Sequence, residues 1–261
     1  MLFHCFDHIG KLMPDLPLSR PSFSNNYMKH RTFKPYNALP ISLLQILLQA
    51  TLLITMPARS EEKQHNFDKW EKEISAYEQM DRTNPPPKKA VLFIGSSTIR
   101  MWKSLSRDFP KQKVINRGFG GSEIVDSTHF AKRIIFPYKP RKILFRAGGN
   151  DIAAGKSPEQ VFADFQEFVA KVQSKLPKAE IVFIGWNPTI SRWKQADKEK
   201  ALNGMVRAFT KKTPRVKYVE TYDMVLGYDG QPREELFLPD KLHFNPEGYK
   251  LLAEKVRPYV N

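Results

Sequence analysis

Residues 90–102 read AVLFIGSSTIRMW, an apolar run that stops at Gly95 and presents two serines before a helical pattern begins at Thr98. Consecutive apolar residues followed by a glycine predict a buried strand that ends in a tight turn. The helical pattern after the turn completes a strand–turn–helix unit. Such a turn needs a small residue but not two hydroxyls, so Ser96 and Ser97 are candidates for a nucleophile.

The same alternation continues along the chain. Further short apolar runs occur at 113–116, 142–147, 180–185 and 216–219, and helical patterns occur at 98–105, 123–136, 158–176, 194–212 and 246–256. Nearly all-apolar strands that alternate with helices predict a parallel sheet covered on both faces. We expect an α/β fold, a three-layer α/β/α sandwich whose five parallel strands have the order 2-1-3-4-5.

An amphipathic helix is expected before this unit. Its apolar face would carry Phe67, Trp70, Ile74 and Tyr77, and NPPPKK at 84–89 would end it.

Composition argues against several kinds of site. The 42 Lys and Arg exceed the 27 Asp and Glu, which gives a formal charge of +15, but basic and acidic residues are interspersed. A solvated surface explains this pattern, so no nucleic-acid partner is expected. Cys5 is the single cysteine and no HExxH or HxH pattern occurs, so we expect no disulfide framework, no metal site and no cofactor. The oligomeric state cannot be read from the sequence.

The first sixty residues have the layout of an export signal. A basic segment begins with Met28-Lys29-His30-Arg31, the apolar run ISLLQILLQATLLITM occupies 41–56, and the small-residue stretch PARS follows at 57–60. We expect translation to start at Met28, cleavage near Ala58 or Ser60, and a periplasmic or extracellular protein. An uncleaved membrane anchor is the alternative, and it would be the only membrane contact. Residues 1–60 are thus expected to be an extension with its signal, and residues 61–261 a single domain.

Small and polar segments follow the predicted strands. They are Gly95-Ser96-Ser97, NRGFGGSE at 116–123 and AGGND at 147–151, and a C-terminal segment, PDKLHFNPEGY at 239–249, holds Asp240 and His243. In an open parallel sheet, ligands bind beyond the carboxyl ends of the strands where the strand order reverses. A dinucleotide loop is an alternative for the second segment, but G-x-G-x-x-G would need a glycine where Glu123 stands.

Together the four segments resemble the sequence blocks of the SGNH hydrolases, also called GDSL-type esterases and lipases. Their spacing is similar to the branch with the platelet-activating-factor acetylhydrolase catalytic subunits, and the resemblance covers residues 91–260. It implies that Ser97 is the nucleophile, that Gly121 and Asn150 join Ser97 in the oxyanion hole, and that Asp240 and His243 complete a triad.

The chemistry of these residue types fits that assignment. A serine hydroxyl needs a base, and an imidazole with a pKa near ~6.5 can take its proton at neutral pH. Asp240 can hold the other ring N–H of His243 and stabilise the imidazolium. The backbone N–H groups of Ser97 and Gly121 and the amide of Asn150 can donate to an oxyanion, each contributing about 3 kcal/mol.

The chain departs from the family at one position, because Gly95-Ser96-Ser97 stands where the namesake is Gly-Asp-Ser. That aspartate is not the catalytic acid of the family, so the departure concerns positioning around the site. Ser96 is an alternative nucleophile, and Asp151 is expected to be a cap or turn residue.

The predicted function is a serine ester hydrolase for short acyl esters, with a carbohydrate acetyl ester as a candidate substrate. Arg192, Trp193 and Phe119 are candidate substrate contacts, although core packing is the favoured interpretation of Phe119, as it is of Trp102. An inactive exported module that binds carbohydrate or lipid is the alternative function. A flavodoxin-like nucleotide domain would need a phosphate loop or acidic cluster after the first strand, which Gly95-Ser96-Ser97 does not provide.

Overall fold

The fold is described from a computed structural model for residues 65–261. The export signal and the boundary near residue 60 predicted above lie outside the described residues. Five parallel strands form the central sheet: β1 (Val91–Gly95), β2 (Val114–Gly118), β3 (Lys142–Arg146), β4 (Glu180–Ile184) and β5 (Val216–Val219). Their order is β2-β1-β3-β4-β5, which confirms the predicted topology.

Helices connect the strands. They are α1 (Glu71–Thr83), α2 (Ser97–Arg100), α3 (Leu105–Asp108), α4 (Ile124–His129), α5 (Ala131–Ile134), α6 (Gly149–Ala153), α7 (Pro158–Lys175), α8 (Ala196–Thr210) and α9 (Pro246–Val260). Short 3-10 turns occupy Asp68–Trp70, Phe136–Tyr138, Trp193–Gln195, Asp223–Val225 and Glu234–Leu236. No helix within residues 65–261 has the length and apolar character to cross a membrane.

The strands are buried on both faces because helices cover both. Leu92 and Ile94 of β1 pack in the cluster beneath α1, α4, α5, α7 and α8. Val91 and Phe93 belong to the opposite cluster, beneath α2, α3 and α9. Successive side chains of a strand point to opposite faces, so two buried faces require an all-apolar strand. The predicted three-layer sandwich is therefore confirmed.

Two predicted helices are broken in the structure. The helix predicted at 98–105 splits into α2 and α3, because the backbone leaves helical geometry at Met101 and Ser104, where ψ is −3° and 1°. This turn places Trp102 in the core, 1% exposed and edge-on to Phe93 with ring centroids 5.6 Å apart. The core role expected for Trp102 is confirmed.

The helix predicted at 123–136 splits at Phe130, which is 2% exposed and edge-on to Phe119. The short helix α6, which begins within AGGND and ends at Ala153, was not predicted. Five residues are too few to show a helical period, and Gly148 precedes them at φ +123°. By contrast, the predicted start of α9 is confirmed, since Asn245 Oδ1 accepts the N–H of Gly248 at 3.1 Å and Pro246 occupies the first turn.

Candidate active site

The carboxyl ends of β1, β2 and β3 lead into the three loops that carry Ser97, Gly121 and Asn150. The C-terminal turn brings His243 to the same edge of the sheet. These residues, with Leu242 and Arg192, line a cleft of about 250 Å³ that is open to solvent. The residues predicted from the four sequence segments therefore lie together.

Ser97, His243 and Asp240 form a continuous chain of contacts. His243 Nε2 lies 2.9 Å from Ser97 Oγ, across 146 residues of sequence, and His243 Nδ1 lies 2.6 Å from Asp240 Oδ2. Ser96 is 2% exposed, and no contact between its hydroxyl and His243 occurs among the described residues. The geometry thus favours Ser97 over Ser96 as the nucleophile.

Local hydrogen bonds hold Asp240 in place. Its Oδ1 accepts the backbone N–H groups of Leu242 and His243 at 2.9 and 3.0 Å. Desolvation raises the pKa of Asp240, but hydrogen bonds from the His243 ring and from these two amides outweigh it and lower the pKa to about 2. The carboxylate is consequently ionised at neutral pH.

The C-terminal turn is fastened to the nucleophile loop by a longer-range contact. The Tyr249 hydroxyl, at the start of α9, donates to the carbonyl of Thr98 at 2.9 Å. The Leu238 N–H donates to the His243 carbonyl at 2.8 Å and closes the turn. The distance between His243 and Ser97 is therefore set by α9 packing on the sheet as well as by the turn.

The nucleophile loop requires a glycine. Gly95 has φ +140°, and a Cβ there would collide with the carbonyl of Arg146 on β3. The Ser96 N–H donates to that same carbonyl at 3.0 Å, so the loop lies tightly against the end of β3. Ser97 takes the first position of α2, where its backbone N–H has no partner within the helix.

Asn150 is oriented by two neighbours. Its Nδ2 donates to the Ser122 carbonyl at 3.0 Å, and its Oδ1 accepts from Arg192 Nη1 at 3.1 Å. Arg192 thereby fixes which end of the amide carries the hydrogens. One Nδ2 hydrogen is used by Ser122, and the second is available for a ligand beside Ser97.

Gly121 lies in the loop after β2 and has φ +74°. Without a side chain it allows its backbone N–H to approach a ligand in the same cleft. Ser97, Gly121 and Asn150 can therefore supply three hydrogen-bond donors to one oxyanion.

Asp151, next to Asn150, is fully buried and supports the loop after β2. Its Oδ1 accepts the N–H of Ile124 at the start of α4 at 3.1 Å, and Lys156 Nζ lies 3.5 Å away. Burial raises the pKa of Asp151 to about 7. Its contacts agree with the expected role as a cap.

The three candidate substrate contacts have different surroundings. Arg192 lines the cleft and holds Asn150. Trp193 is 38% exposed and lies outside the residues that line the cleft. Phe119 is fully buried between Trp70 and Phe130, so its candidate role as a substrate contact is wrong and it is a core residue.

A second, smaller cavity of about 30 Å³ also borders Ser97. Arg146, Thr189 and Glu199 line it, and sequence reasoning did not select them. For Glu199 a signal existed, because the spacing of Ala196, Glu199 and Leu202 puts it on the buried face of α8. Glu73 and Arg100, which line the open cleft, were also missed because exposed charged residues on helices are common.

A family model described as the GDSL-like Lipase/Acylhydrolase family matches residues 95–251, more than half of the sequence. The chain belongs to this family. The GDSL-like protein is accordingly an enzyme that hydrolyses ester bonds, as the sequence predicts. No curated protein sequence matches it.

Solved structures share the fold of this GDSL-like hydrolase at low sequence identity. A Streptococcus pneumonia protein named for platelet activating factor is 19% identical, with a TM-score of 0.67, covering 84% of this chain and 99% of that one. A GDSL-like lipase from Bacteroides thetaiotaomicron is 18% identical, with a TM-score of 0.59 and coverages of 75% and 97%. An acetylxylan esterase from Geobacillus stearothermophilus is 14% identical, with a TM-score of 0.55 and coverages of 67% and 95%.

Proposed function

We propose that this GDSL-like hydrolase cleaves short acyl esters of a carbohydrate or similar polar alcohol through an acyl-enzyme on Ser97. The observation that carries the proposal is the chain of contacts from Ser97 Oγ to His243 Nε2 at 2.9 Å and from His243 Nδ1 to Asp240 at 2.6 Å. This is the arrangement that a serine nucleophile needs for activation.

In the first half of the reaction, His243 Nε2 takes the Ser97 hydroxyl proton as Oγ bonds to the ester carbonyl carbon. The imidazolium formed is stabilised by the ionised Asp240. His243 then gives the proton to the alcohol oxygen as the carbon–oxygen bond breaks, and the acyl group remains on Ser97.

Water completes the cycle. The water molecule loses a proton to His243 Nε2 while its oxygen bonds to the acyl carbon. The bond between that carbon and Ser97 Oγ then breaks, and His243 returns the proton to Oγ. The products are one carboxylic acid and the regenerated enzyme.

Each half-reaction passes through an oxyanion. The N–H groups of Ser97 and Gly121 and the Nδ2 of Asn150 would donate to it. A preorganised donor of this type typically contributes a factor of about 10²–10³ in kcat. Asn150 suits this role because its amide is neutral, whereas a carboxylate would repel the oxyanion.

The two spaces beside Ser97 support the substrate class. The cavity of about 30 Å³ has room for a small acyl group only. The open cleft of about 250 Å³ is lined by Glu73, Arg100 and Gly120, groups that can hydrogen-bond a polar alcohol. The Geobacillus neighbour is an acetylxylan esterase, an enzyme for an acetylated carbohydrate.

The test uses the purified protein with p-nitrophenyl acetate, a panel of acetylated sugars, and p-nitrophenyl esters of increasing chain length. We expect hydrolysis that declines beyond three or four acyl carbons and labelling of Ser97 by a fluorophosphonate. Ser97→Ala should abolish both and lower kcat by up to about 10⁶-fold.

Ser96→Ala is the matched control, because the same hydroxyl is removed one residue earlier. It should remain labelled and active. Activity that survives Ser97→Ala would contradict the proposal, and sugar binding without turnover in the unmodified protein would favour the inactive binding module instead.

We also propose that residues 28–60 direct export. The support is the order of basic residues, apolar run and small residues in the sequence. N-terminal sequencing of the protein recovered from cell fractions should give a start near residue 59 or 61 in the exported fraction, and an intact N terminus on cytoplasmic protein would count against export.

A further inference from the structure

The cavity of about 30 Å³ beside Ser97 has an unusually polar wall for a space that would hold a short acyl group. Leu242 and Phe244 supply its apolar part, whereas Arg146, Thr189 and Glu199 supply polar groups. A cavity needs a volume of about 10–15 Å³ to hold one water molecule, so this cavity holds about two water-sized atoms.

Arg146 is the donor side of the wall. It ends β3, is 2% exposed, and stacks over Trp186 with its guanidinium carbon 4.5 Å from the ring centroid. Its Nη1 donates to the Gly185 carbonyl and its Nη2 donates to Asn187 Oδ1 at 2.6 Å. The buried Nε has no hydrogen-bond partner among the described residues.

Glu199 is the acceptor side. It lies in α8, is 1% exposed, and its Oε2 is buried without a partner among residues 65–261. Desolvation raises its pKa to about 7, although Arg146 and Arg192 act to lower it. Thr189, at 8% exposure, adds a buried Oγ1 that likewise has no partner in the described part of the chain.

Buried polar atoms without partners are costly. Within residues 65–261, Arg146 Nε, Glu199 Oε2 and Thr189 Oγ1 are three such atoms, and all three side chains line this cavity, which suits it to a polar guest. An alkyl acyl group would displace water from this wall and leave the Arg146 Nε donor and the Glu199 acceptor unpaired. A hydroxyl on the acyl group could donate to Glu199 and accept from Arg146 at the same time. It would satisfy both within the available two-atom space.

We propose that this cavity is an acyl subsite that selects a 2-hydroxyacyl group, with glycolyl as the best-fitting member. The inference rests on the proposed function, because it assigns the acyl side of that same reaction. The carbonyl carbon would sit beside Ser97, and the C2 carbon and its hydroxyl would occupy the two-atom cavity.

The experiment compares phenyl glycolate with phenyl propionate, using phenyl acetate as the reference ester. Glycolyl and propionyl have equal numbers of heavy atoms. They differ only in the terminal group, which is a hydroxyl in glycolyl and a methyl in propionyl. Each kcat/KM is divided by the rate constant for hydroxide-catalysed hydrolysis of the same ester, which removes the difference in intrinsic reactivity. We expect the normalised value to favour glycolate at least about tenfold in the unmodified protein.

The variants test the wall directly. Glu199→Met removes the acceptor while keeping the side-chain length, and it should reduce the preference to about one. Glu199→Gln keeps a carbonyl oxygen and should retain part of the preference. Glu254→Met, the same change at an exposed position of α9, is the matched control and should leave the preference unaltered. Fluorophosphonate labelling of Ser97 in each variant checks that the site is folded.

The outcomes separate the two proposals. Hydrolysis of phenyl acetate without a preference for glycolate, or a preference unchanged in Glu199→Met, would overturn the polar acyl subsite and leave the esterase intact. Failure to hydrolyse any of the three esters, with no labelling of Ser97, would overturn both.

Discussion

An arginine and a glutamate line each of the two spaces beside Ser97, but in opposite environments. In the small cavity Arg146 and Glu199 are 2% and 1% exposed. In the open cleft Arg100 and Glu73 are 48% and 31% exposed, with Arg100 Nε 4.0 Å from Glu73 Oε1. Solvent screens the second pair, whereas burial strengthens every interaction of the first. The same residue types should therefore govern specificity in the small cavity and contribute modestly in the open cleft.

Ser97 and His243 border both spaces and Asp240 contacts His243, so removing a member of this chain of contacts should affect every substrate equally and have the largest effect. His243→Ala should lower kcat by about 10⁵-fold or more, because Ser97 loses its base. Asp240→Asn should lower it by about 10⁴-fold, because the wrong tautomer is then favoured. Rates on p-nitrophenyl acetate and on an acetylated sugar would be measured for both.

His129→Ala is the matched control, since His129 is exposed and lies outside both spaces. A loss restricted to one substrate, or full activity in His243→Ala, would show that the centre is not shared.

Asn150 and Arg192 also border both spaces, and Arg192 should act partly through Asn150. We expect Asn150→Ala to lower kcat by about 10²–10³-fold. Arg192→Met should lower kcat about tenfold in the unmodified protein but less than about threefold in the Asn150→Ala background. The double-mutant cycle on kcat measures this coupling, and strictly additive losses would mean that Arg192 does not orient the amide.

The burial of Glu199 should be visible in the pH dependence of stability. Its pKa rises from 4.5 to about 7 on folding, so between these values the folded protein keeps a proton that the unfolded chain releases. The stability gained from the neutral form is complete below about pH 4.5 and is lost as pH rises through about 7.

Glu199→Gln cannot ionise, so its free energy of unfolding should exceed that of the unmodified protein by an amount that grows from pH 5 to pH 8. The growth should be at most about 3 kcal/mol. Denaturant unfolding at several pH values measures the difference, and a difference independent of pH would show that Glu199 is not desolvated.

The smallest effect is expected on the open side. Arg100→Gln should raise KM for an acetylated sugar about three- to tenfold, because a screened contact to the alcohol is lost. Its kcat/KM for p-nitrophenyl acetate should change less than about twofold. Steady-state kinetics on both substrates tests this, and an equal loss on both would indicate that Arg100 supports the catalytic centre rather than the alcohol.

The contrast between the two sides also separates what could be predicted from what could not. The nucleophile segment, the glycine loops and the Asp240–His243 turn have local signatures, because each depends on small residues, caps or short spacings within one stretch. The fully buried Arg146 has no such signature, and the only local signal for Glu199 is its position on the apolar face of α8. A charged residue becomes a buried one only when distant elements close over it.

Phe119 was left open between the core and a substrate contact for the same reason. Its place after β2, between glycines, is compatible with an exposed loop tip or with the core. Contacts with Trp70 and Phe130, which are distant in sequence, decide for the core.

By itself, the sequence determined the five strands, their parallel arrangement and the family to which the chain belongs. Apolar runs and turn residues determine local structure over a few positions, so strands and turns can be recognised from the sequence without a structure. Only the tertiary structure decided that His243 meets Ser97 across 146 residues and that Arg192 orients Asn150. It also decided that a small cavity with buried polar groups and a larger open cleft both border the serine. These features depend on burial and distance in space, which arise when α8, α9 and the sheet pack together.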